Sequence, residues 1–89
     1  MNKLLKVSLN GKIKWRNEYD FFTVYHFETD DLFKVPKTAI DILEVADGTK
    51  SIDEIINYVI RINNLNTSVY QKIYEYIDLL NQKELINFT

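Results

Sequence analysis

The only histidine of this chain precedes a group of carboxylates at a spacing that could bind a metal ion. His26, Glu28 and Asp30 alternate, so a continuing strand would place their side chains on one face, and Asp31 follows directly. A catalytic zinc site, however, requires three converging ligands and supporting hydrogen bonds around them. A strand that runs into a solvated acidic turn explains the same residues more simply. We therefore interpret His26 as a packed or hydrogen-bonded strand residue and predict no metal and no other cofactor.

The chain lacks the groups on which nucleophilic and phosphate-transfer catalysis depend. It contains no cysteine and no G-x-S-x-G sequence, and its two glycines, Gly11 and Gly48, both occupy turn-like dipeptides. A glycine-rich loop that could hold a phosphate is therefore absent from the sequence. We predict a protein that binds a partner and is not an enzyme.

Two tyrosines on a predicted helix are candidates for a recognition surface. Tyr70 and Tyr74 lie beside the predicted core face, so they either flank the core or form a partly exposed aromatic wall. Tyrosine is common at recognition surfaces because it offers a large contact area and a polar tip. The apolar stretch Leu32–Val35 could be a sheet edge with unpaired backbone groups. Together the edge and the tyrosines would make a groove in which an extended peptide is added as a strand.

The elements that would position these residues follow from residues 32–56. Leu32–Val35 contains residues that favour strands, and Pro36 ends this segment and suits the start of a helix. Asp47-Gly48 is predicted to stop that helix, with the glycine at a positive φ angle. The first helix presents apolar residues at a helical spacing, namely Ala39, Ile42, Leu43 and Ala46.

Two further helices complete the predicted C-terminal half. Ser51 and Glu54 form an S-x-x-E capping box, which begins a second helix over about residues 52–63. A third helix begins near Thr67 or Ser68, both favourable N-cap residues, and extends to about Gln82. Its predicted core face consists of Val69, Ile73, Tyr76, Ile77 and Leu80.

The N-terminal half predicts strands. Apolar and polar residues alternate over Leu4–Leu9 and over Lys12–Arg16, and Asn10-Gly11 between them is a strong hairpin signal. These two segments are therefore predicted to pair, although the first could instead be an extra edge strand or a flexible lead-in. Phe21–Phe27 is rich in aromatic and β-branched residues and predicts a strand. Neither of its faces is polar, so its second face would be covered by the N-terminal segment or by another subunit, as in a homodimer.

Composition limits the class of protein. At 89 residues the chain is long enough for one domain, residues 1–89, with the sheet at about residues 4–35 and the helices at about 37–83. Thirteen acidic residues outnumber eleven basic ones, which disfavours binding to nucleic acid. No run approaches the apolar length of a membrane span, and the N-terminus has no signal-peptide pattern. The absence of cysteine fits a reducing compartment. The sequence thus predicts a cytoplasmic protein that does not enter a membrane.

The stretch from the first to the second helix also resembles a known family. The pattern A-x-x-I-L-x-x-x-D-G-x-x-S-x-x-E-I is matched by Ala39, Ile42-Leu43, Asp47-Gly48, Ser51 and Glu54-Ile55. It is similar to the pattern of the PqqD-like peptide chaperones, the recognition elements of ribosomally made, modified peptides. Early short strands, later helices and a C-terminal apolar pair extend the resemblance over the whole chain. The chain departs from the family where it has Val35-Pro36 for Leu-Asn and Lys83-Glu84 for a glycine.

This resemblance implies an α+β, winged-helix-like fold, in which a three-stranded antiparallel sheet precedes three helices. It also implies a non-catalytic protein that binds the leader segment of a precursor peptide and delivers it to a modifying enzyme, either a radical-SAM enzyme or a leader peptidase. In the family the leader is added beside the third strand and against the third helix, which correspond here to Asp31–Val35 and Val69–Asn81. The predicted peptide-binding residues are Asp31, Leu32, Phe33, Lys34, Val35, Tyr70, Ile73, Tyr74, Ile77 and Asn81.

Two other functions stay open on the sequence alone. The second and third helices resemble a helix-turn-helix, so the chain could be a DNA-binding winged-helix regulator. Against this, Lys72 is the lone basic residue in the first turns of the third helix, and Glu75 and Asp78 would face phosphates. The chain could also be a protein–protein adaptor without a peptide ligand.

Overall fold

The computed structural model describes residues 2–89, and in them two three-stranded antiparallel sheets accompany three α-helices. The elements in chain order are β1 (Lys6–Leu9), β2 (Ile13–Asn17), β3 (Phe22–His26), β4 (Asp31–Val35), α1 (Lys37–Val45), β5 (Asp47–Ser51), α2 (Ile52–Ile62), a 3₁₀ turn (Thr67–Val69), α3 (Tyr70–Gln82) and β6 (Ile86–Phe88). The predicted α+β class is confirmed, and so is the order of a three-stranded antiparallel sheet followed by helices. Of the helices described within residues 2–89, none is both long and apolar enough to cross a lipid bilayer.

The first sheet consists of β2, β3 and β4 in that order, so β2 and β4 are its edges. The register places Trp15 opposite Val24, and Val24 opposite Phe33. Val24 is fully buried, and the other two side chains pack against the hydrophobic core. This face of the sheet therefore turns inward, toward the helices.

The opposite face of the first sheet is open to solvent. Lys14, Tyr25 and Leu32 lie side by side on it, and all three are exposed. The N-terminal segment does not cover this face, contrary to one of the two predicted arrangements, because that segment belongs to the second sheet. Cover by another subunit stays a prediction.

β1 does not pair with β2, so the predicted hairpin between Leu4–Leu9 and Lys12–Arg16 is wrong. β1 lies between β5 and β6, in a second sheet of order β5-β1-β6. Asn10 does form the local turn, since its Oδ1 accepts a hydrogen bond from the Lys12 N–H at 2.8 Å. Its own N–H, however, donates to the Leu85 carbonyl at 3.0 Å and extends the pairing of β1 with β6. A central strand gains neighbours on both sides, which a two-stranded hairpin could not give β1.

Asp47-Gly48 begins a strand and does not end a helix. α1 ends at Val45 and is capped by Ala46, so the predicted stop lies slightly too late in the chain. Gly48 has the predicted positive φ angle, 86°. The reason is a bulge, because the register between β1 and β5 shifts at this point.

The predicted start of α2 is confirmed, and that of α3 is shifted. The Ser51 hydroxyl accepts from the Glu54 N–H at 3.2 Å, and the Glu54 carboxylate accepts from the Ser51 N–H at 3.0 Å. These bonds complete the capping box, and the bond from the Ser51 N–H to the carboxylate holds the pKa of Glu54 below its usual value. Asn66 caps the 3₁₀ turn that precedes α3, whereas α3 itself begins without a side-chain cap, so neither of the predicted residues, Thr67 and Ser68, caps it. The Asn66 Oδ1 accepts from the Ser68 N–H at 2.8 Å.

One hydrophobic core joins both sheets to the helices. Fully buried residues from each layer include Val7, Val24, Ile42, Ile55, Ile77 and Leu85. β6 contributes Ile86 to this core, although the sequence predicts no strand there. The packed core fixes how α3 lies against the first sheet, which determines the site described next.

Candidate functional site

β4 is an edge strand, and the backbone hydrogen bonds identify which of its groups have no strand partner. At one end of the β2–β3 ladder, the Phe27 N–H donates to the Lys12 carbonyl at 3.0 Å. At the other end, the Glu18 N–H donates to the Phe21 carbonyl at 2.8 Å. Hydrogen-bonded pairs alternate with non-bonded pairs in an antiparallel ladder. The residues of β3 that bond to β4 are therefore the even-numbered ones, opposite Val35, Phe33 and Asp31.

The remaining residues of β4, Leu32 and Lys34, direct their N–H and C=O groups away from the sheet. Within residues 2–89 no other strand borders this edge. The edge ends at Pro36, which has no N–H to offer. Two free donors and two free acceptors thus lie in a row, which is a template for the addition of another strand.

A cavity of about 450 Å³ runs along the β4 edge, with α3 as its opposite wall. The strand side is formed by residues 32–36, and the helix side by Tyr76, Leu79, Leu80 and Lys83. A second cavity of about 250 Å³ is lined by Pro36, Thr38, Lys72, Ile73 and Tyr76. Because Pro36 and Tyr76 border both cavities, the two adjoin. We call them together the β4–α3 groove.

The sequence of α3 forms this wall by placing an apolar row beside its core row. Tyr76, Leu79, Leu80 and Lys83 follow at spacings of three, one and three, which is one side of a helix. Leu80 is buried, whereas Leu79 is 40% exposed, and Phe33, on the inward face of β4, is partly buried across the groove. An exposed leucine and an aromatic ring that border the same cavity are typical of a binding site.

Lysine ammonium groups border the groove. Lys83 Nζ lies 4.8 Å from the centroid of the Phe33 ring, and Lys34 Nζ lies 4.5 Å from that of Phe21. At these distances a ring face attracts the cation, and Phe33, which lines the groove, holds Lys83 at its border. None of the residues that line the two cavities is acidic. The groove is therefore apolar along its walls and positively charged at its borders.

The predicted site residues of β4 lie together, but those of α3 do not share one surface. Leu32–Val35 line the larger cavity, and Asp31 begins the same strand. Ile73 lines the smaller cavity. Ile77 is fully buried in the core, and Asn81 is half-buried and lines neither cavity.

Tyr70 and Tyr74 lie on the side of α3 that faces away from the β4–α3 groove, and their part in peptide binding stays a prediction. The Tyr70 hydroxyl donates to Asp53 of α2, and burial together with this bond raises the pKa of Tyr70 to about 12. Lys3 Nζ lies 4.8 Å from the Tyr70 ring centroid and 5.5 Å from that of Tyr74. A helix turns by about 100° per residue, which separates both tyrosines from Tyr76. Both tyrosines contact Lys3 in the N-terminal segment, Tyr70 also contacts α2, and neither lines the groove.

Sequence reasoning left most of the helix wall out of the predicted site, including Tyr76, Leu79, Leu80 and Lys83. The pattern assigns Tyr76 to the core face and gives Leu79 and Lys83 no role. The available signal was Leu79, an apolar residue that stands outside the core row of α3. An apolar residue without a place in the core indicates either an ordinary exposed leucine or one side of a site.

His26 is a buried structural residue, as predicted. It is 2% exposed, and its Nδ1 accepts from the N–H groups of Glu28 and Thr29, each at 3.3 Å. Its Nε2 lies 3.3 Å from Asn10 Nδ2. The ring therefore holds the turn between β3 and β4 to the loop that follows β1.

Comparison with known proteins identifies a shared fold but no matching family. No protein-family model matches the sequence, and no curated protein matches it significantly. Among solved structures, the chain is similar to TbiB1, which was solved in complex with the TbiA(beta) leader peptide. The TM-score is 0.70, over 90% of this chain and 94% of that one. This chain shares the fold of TbiB1. The two sequences are 16% identical, so the likeness lies in the arrangement of the elements and not in matched side chains.

Proposed function

We propose that residues 1–89 form a cytoplasmic, PqqD-like recognition domain for ribosomally made peptides. The protein binds the leader segment of a precursor peptide and is not itself an enzyme. The leader is added to β4 as a further strand, with the side chains of one face in the β4–α3 groove. The protein then delivers the precursor to a modifying enzyme, either a radical-SAM enzyme or a leader peptidase.

The observation that carries this proposal is the free backbone of Leu32 and Lys34 beside an apolar wall. Backbone bonds to an added strand supply affinity whatever the side chains are, and the groove selects among side chains. Alternate residues of the added strand point to the same face, so the residue opposite Phe33 enters the groove. There it meets Leu79 and Tyr76.

The fold supports the same proposal independently. TbiB1 was solved with a leader peptide, so a protein with this fold binds a peptide of the proposed class. This chain keeps the two features that strand addition requires, a free edge and a groove next to it. Its lack of cysteine and of a glycine-rich phosphate loop fits a binding protein better than an enzyme.

A titration of isotope-labelled protein with the leader tests the proposal. The leader to use is that of a short precursor gene found beside a radical-SAM or leader-peptidase gene. We expect the largest amide chemical-shift changes along Asp31–Val35 and along residues 72–83. A peptide of the same composition in scrambled order is the control and should bind more weakly. Binding should persist at moderate salt, because backbone bonds and apolar burial are little screened.

The same titration with duplex DNA tests the regulator interpretation. If DNA shifts the amides of Asn66–Lys72 and the leader does not bind, the protein is a DNA-binding regulator and the proposal is wrong. If neither ligand binds, the adaptor interpretation replaces it. Phosphate contacts would also make DNA binding fall steeply with salt, which separates the two modes in one experiment.

A further inference from the structure

We infer that the β4–α3 groove selects peptides in which acidic residues bracket an apolar centre. This inference rests on the proposed function and names the chemistry of the peptide that the groove accepts. The occupant is an extended segment with one carboxylate near each end of α3 and with apolar side chains between them.

The helix wall of the groove has a lysine at each end and apolar residues between the two lysines. Lys72 borders the groove near Pro36, in the first turn of α3. Lys83 borders it near Leu32 and Phe33, directly after the last turn. α3 therefore runs antiparallel to β4, with a cation at each end of the groove. Between the cations the wall consists of Ile73, Tyr76, Leu79 and Leu80.

No carboxylate within residues 2–89 forms an ion pair with the lysines of the groove. The ion pairs in that part of the chain involve other basic residues, and none includes Lys34, Lys72 or Lys83. The acidic residues of α3, Glu75 and Asp78, do not line the groove. The whole chain carries a net charge of −2, so this local positive charge is a property of the groove and not of the protein. A negatively charged ligand complements it.

The distance between the two wall lysines sets the spacing of the carboxylates. Lys72 and Lys83 are eleven residues apart, which is about 16 Å at the rise of an α-helix. An added strand covers that distance in about five residues. Since alternate side chains share a face, two carboxylates that both face α3 must be about four or six residues apart. The flexible lysine side chains can adjust to either spacing, and the apolar residues lie between, at alternate positions.

A selection from a display library of random dodecapeptides tests the inference without a known ligand. The full chain is immobilised, and bound peptides are sequenced and remeasured as synthetic peptides by fluorescence anisotropy. A parallel selection uses Leu32→Pro, which removes an outward-facing N–H of β4. Only peptides that bind the native chain and not this variant are retained, because they require the β4 edge.

We expect the retained peptides to be enriched in acidic pairs at the stated spacing around apolar residues. Lys72→Glu and Lys83→Glu should each weaken their binding by about tenfold, because attraction at a partly apolar border becomes repulsion. Lys12→Glu makes the same charge change near the opposite edge of the first sheet and should leave affinity within about twofold. Melting curves confirm that all three variants are folded.

Retained peptides without acidic enrichment would overturn the inference and leave the proposed function intact. Equal losses for Lys12→Glu and Lys83→Glu would also overturn it, because attraction would then come from overall charge. If no peptide required the β4 edge, both the inference and the proposed function would be wrong.

Discussion

The two edges of the first sheet differ in their exposed apolar side chains and in what lies beside them. β2 directs the backbone groups of Trp15 and Asn17 outward, but it carries the exposed charges Lys14 and Arg16. β4 directs equivalent groups outward and also carries exposed charges, Asp31 and Lys34, but it adds an exposed leucine, Leu32, and its free edge borders a groove. Charged edge strands resist pairing with other chains, and apolar ones promote it. Of the two edges of this sheet, β4 is therefore the one that favours the addition of a further strand.

The edges of the second sheet are protected by different means. β5 is interrupted by the bulge at Gly48, and β6, Ile86–Phe88, is only three residues long. Bulges and short edge strands both hinder the addition of a further strand. Among the sheet edges within residues 2–89, β4 is thus the one that combines full length with apolar exposure and a helix wall.

Removing one outward-facing N–H from each edge should give the largest difference between them. Leu32→Pro leaves the bonds to β3 intact, because those come from Asp31, Phe33 and Val35. We expect the affinity for the leader to fall roughly tenfold to hundredfold, since a carbonyl of the leader is left unsatisfied. Asn17→Pro is the matched control at β2 and should not change the affinity. Isothermal titration calorimetry measures both, and equal losses would show that β4 is not the site.

Truncation on the two sides of α3 should separate binding from stability. Leu79→Ala removes an exposed side chain of the groove wall, and we expect it to weaken leader binding by about 1–2 kcal/mol. Tyr74→Ala, on the side that faces Lys3, should lower the melting temperature and leave the affinity nearly unchanged. A larger loss of affinity for Tyr74→Ala than for Leu79→Ala would support the aromatic wall predicted from the sequence and contradict the groove as the site.

Substitution of the two glycines tests how β5 is protected. Gly48→Val should lower the free energy of unfolding by about 1 kcal/mol or more, because valine disfavours the positive φ angle. The cost comes from the backbone, since an added Cβ would meet only Ser8 Cβ at an ordinary 3.8 Å. Gly11→Val is the control, with no atom within 4 Å of an added Cβ and no positive φ angle. Equal melting temperatures for both variants would contradict the bulge.

A small dependence of stability on acid pH should also come from the β5 edge. The Thr49 hydroxyl and the Thr49 N–H both donate hydrogen bonds to the Asp47 carboxylate. These bonds, the hydroxyl's above all, lower the pKa of Asp47 from 3.8 to about 2. The folded pKa lies below the unfolded one, so the ionised group stabilises the fold above about pH 4, and this contribution is lost as the pH falls toward 2. Asp47→Asn should flatten the stability curve in this range, as measured by urea unfolding. If stability falls with acid in Asp47→Asn as it does in the native chain, these bonds do not contribute to stability.

The parts of the fold that could be predicted from the sequence depend on near neighbours. The capping box of Ser51 and Glu54, the positive φ of Gly48 and the strand before Pro36 each follow from a few adjacent residues. The partners of β1 could not be predicted in this way. Asn10-Gly11 does form a turn, as its sequence indicates. However, β5 and β6, which lie far along the chain, pair with β1 in place of β2. β6 is too short to give a signal of its own.

The candidate site likewise has one part that depends on neighbouring residues and one part that depends on long-range contacts. The edge at Leu32–Val35 is predictable because an apolar strand ended by proline is a local pattern. The wall is not, because it depends on the rotation of α3 about its axis. That rotation is set by long-range contacts, such as those of Tyr70 with Asp53 and Lys3. A rotation of the helix by about half a turn would exchange Tyr76 and Leu79 for Tyr70 and Tyr74 as the residues that face β4.

Amide hydrogen exchange at the two edges distinguishes strand addition at β4 from other modes of binding. In the free protein, the N–H groups of Leu32 and Lys34 should exchange faster than that of Phe33, which bonds to β3. With saturating leader, we expect exchange at Leu32 and Lys34 to slow by about tenfold or more, while Trp15 and Asn17 at the other edge stay fast. Fast exchange at Leu32 and Lys34 in the complex, or new protection at Trp15 and Asn17, would contradict the assignment of β4 as the peptide-binding edge.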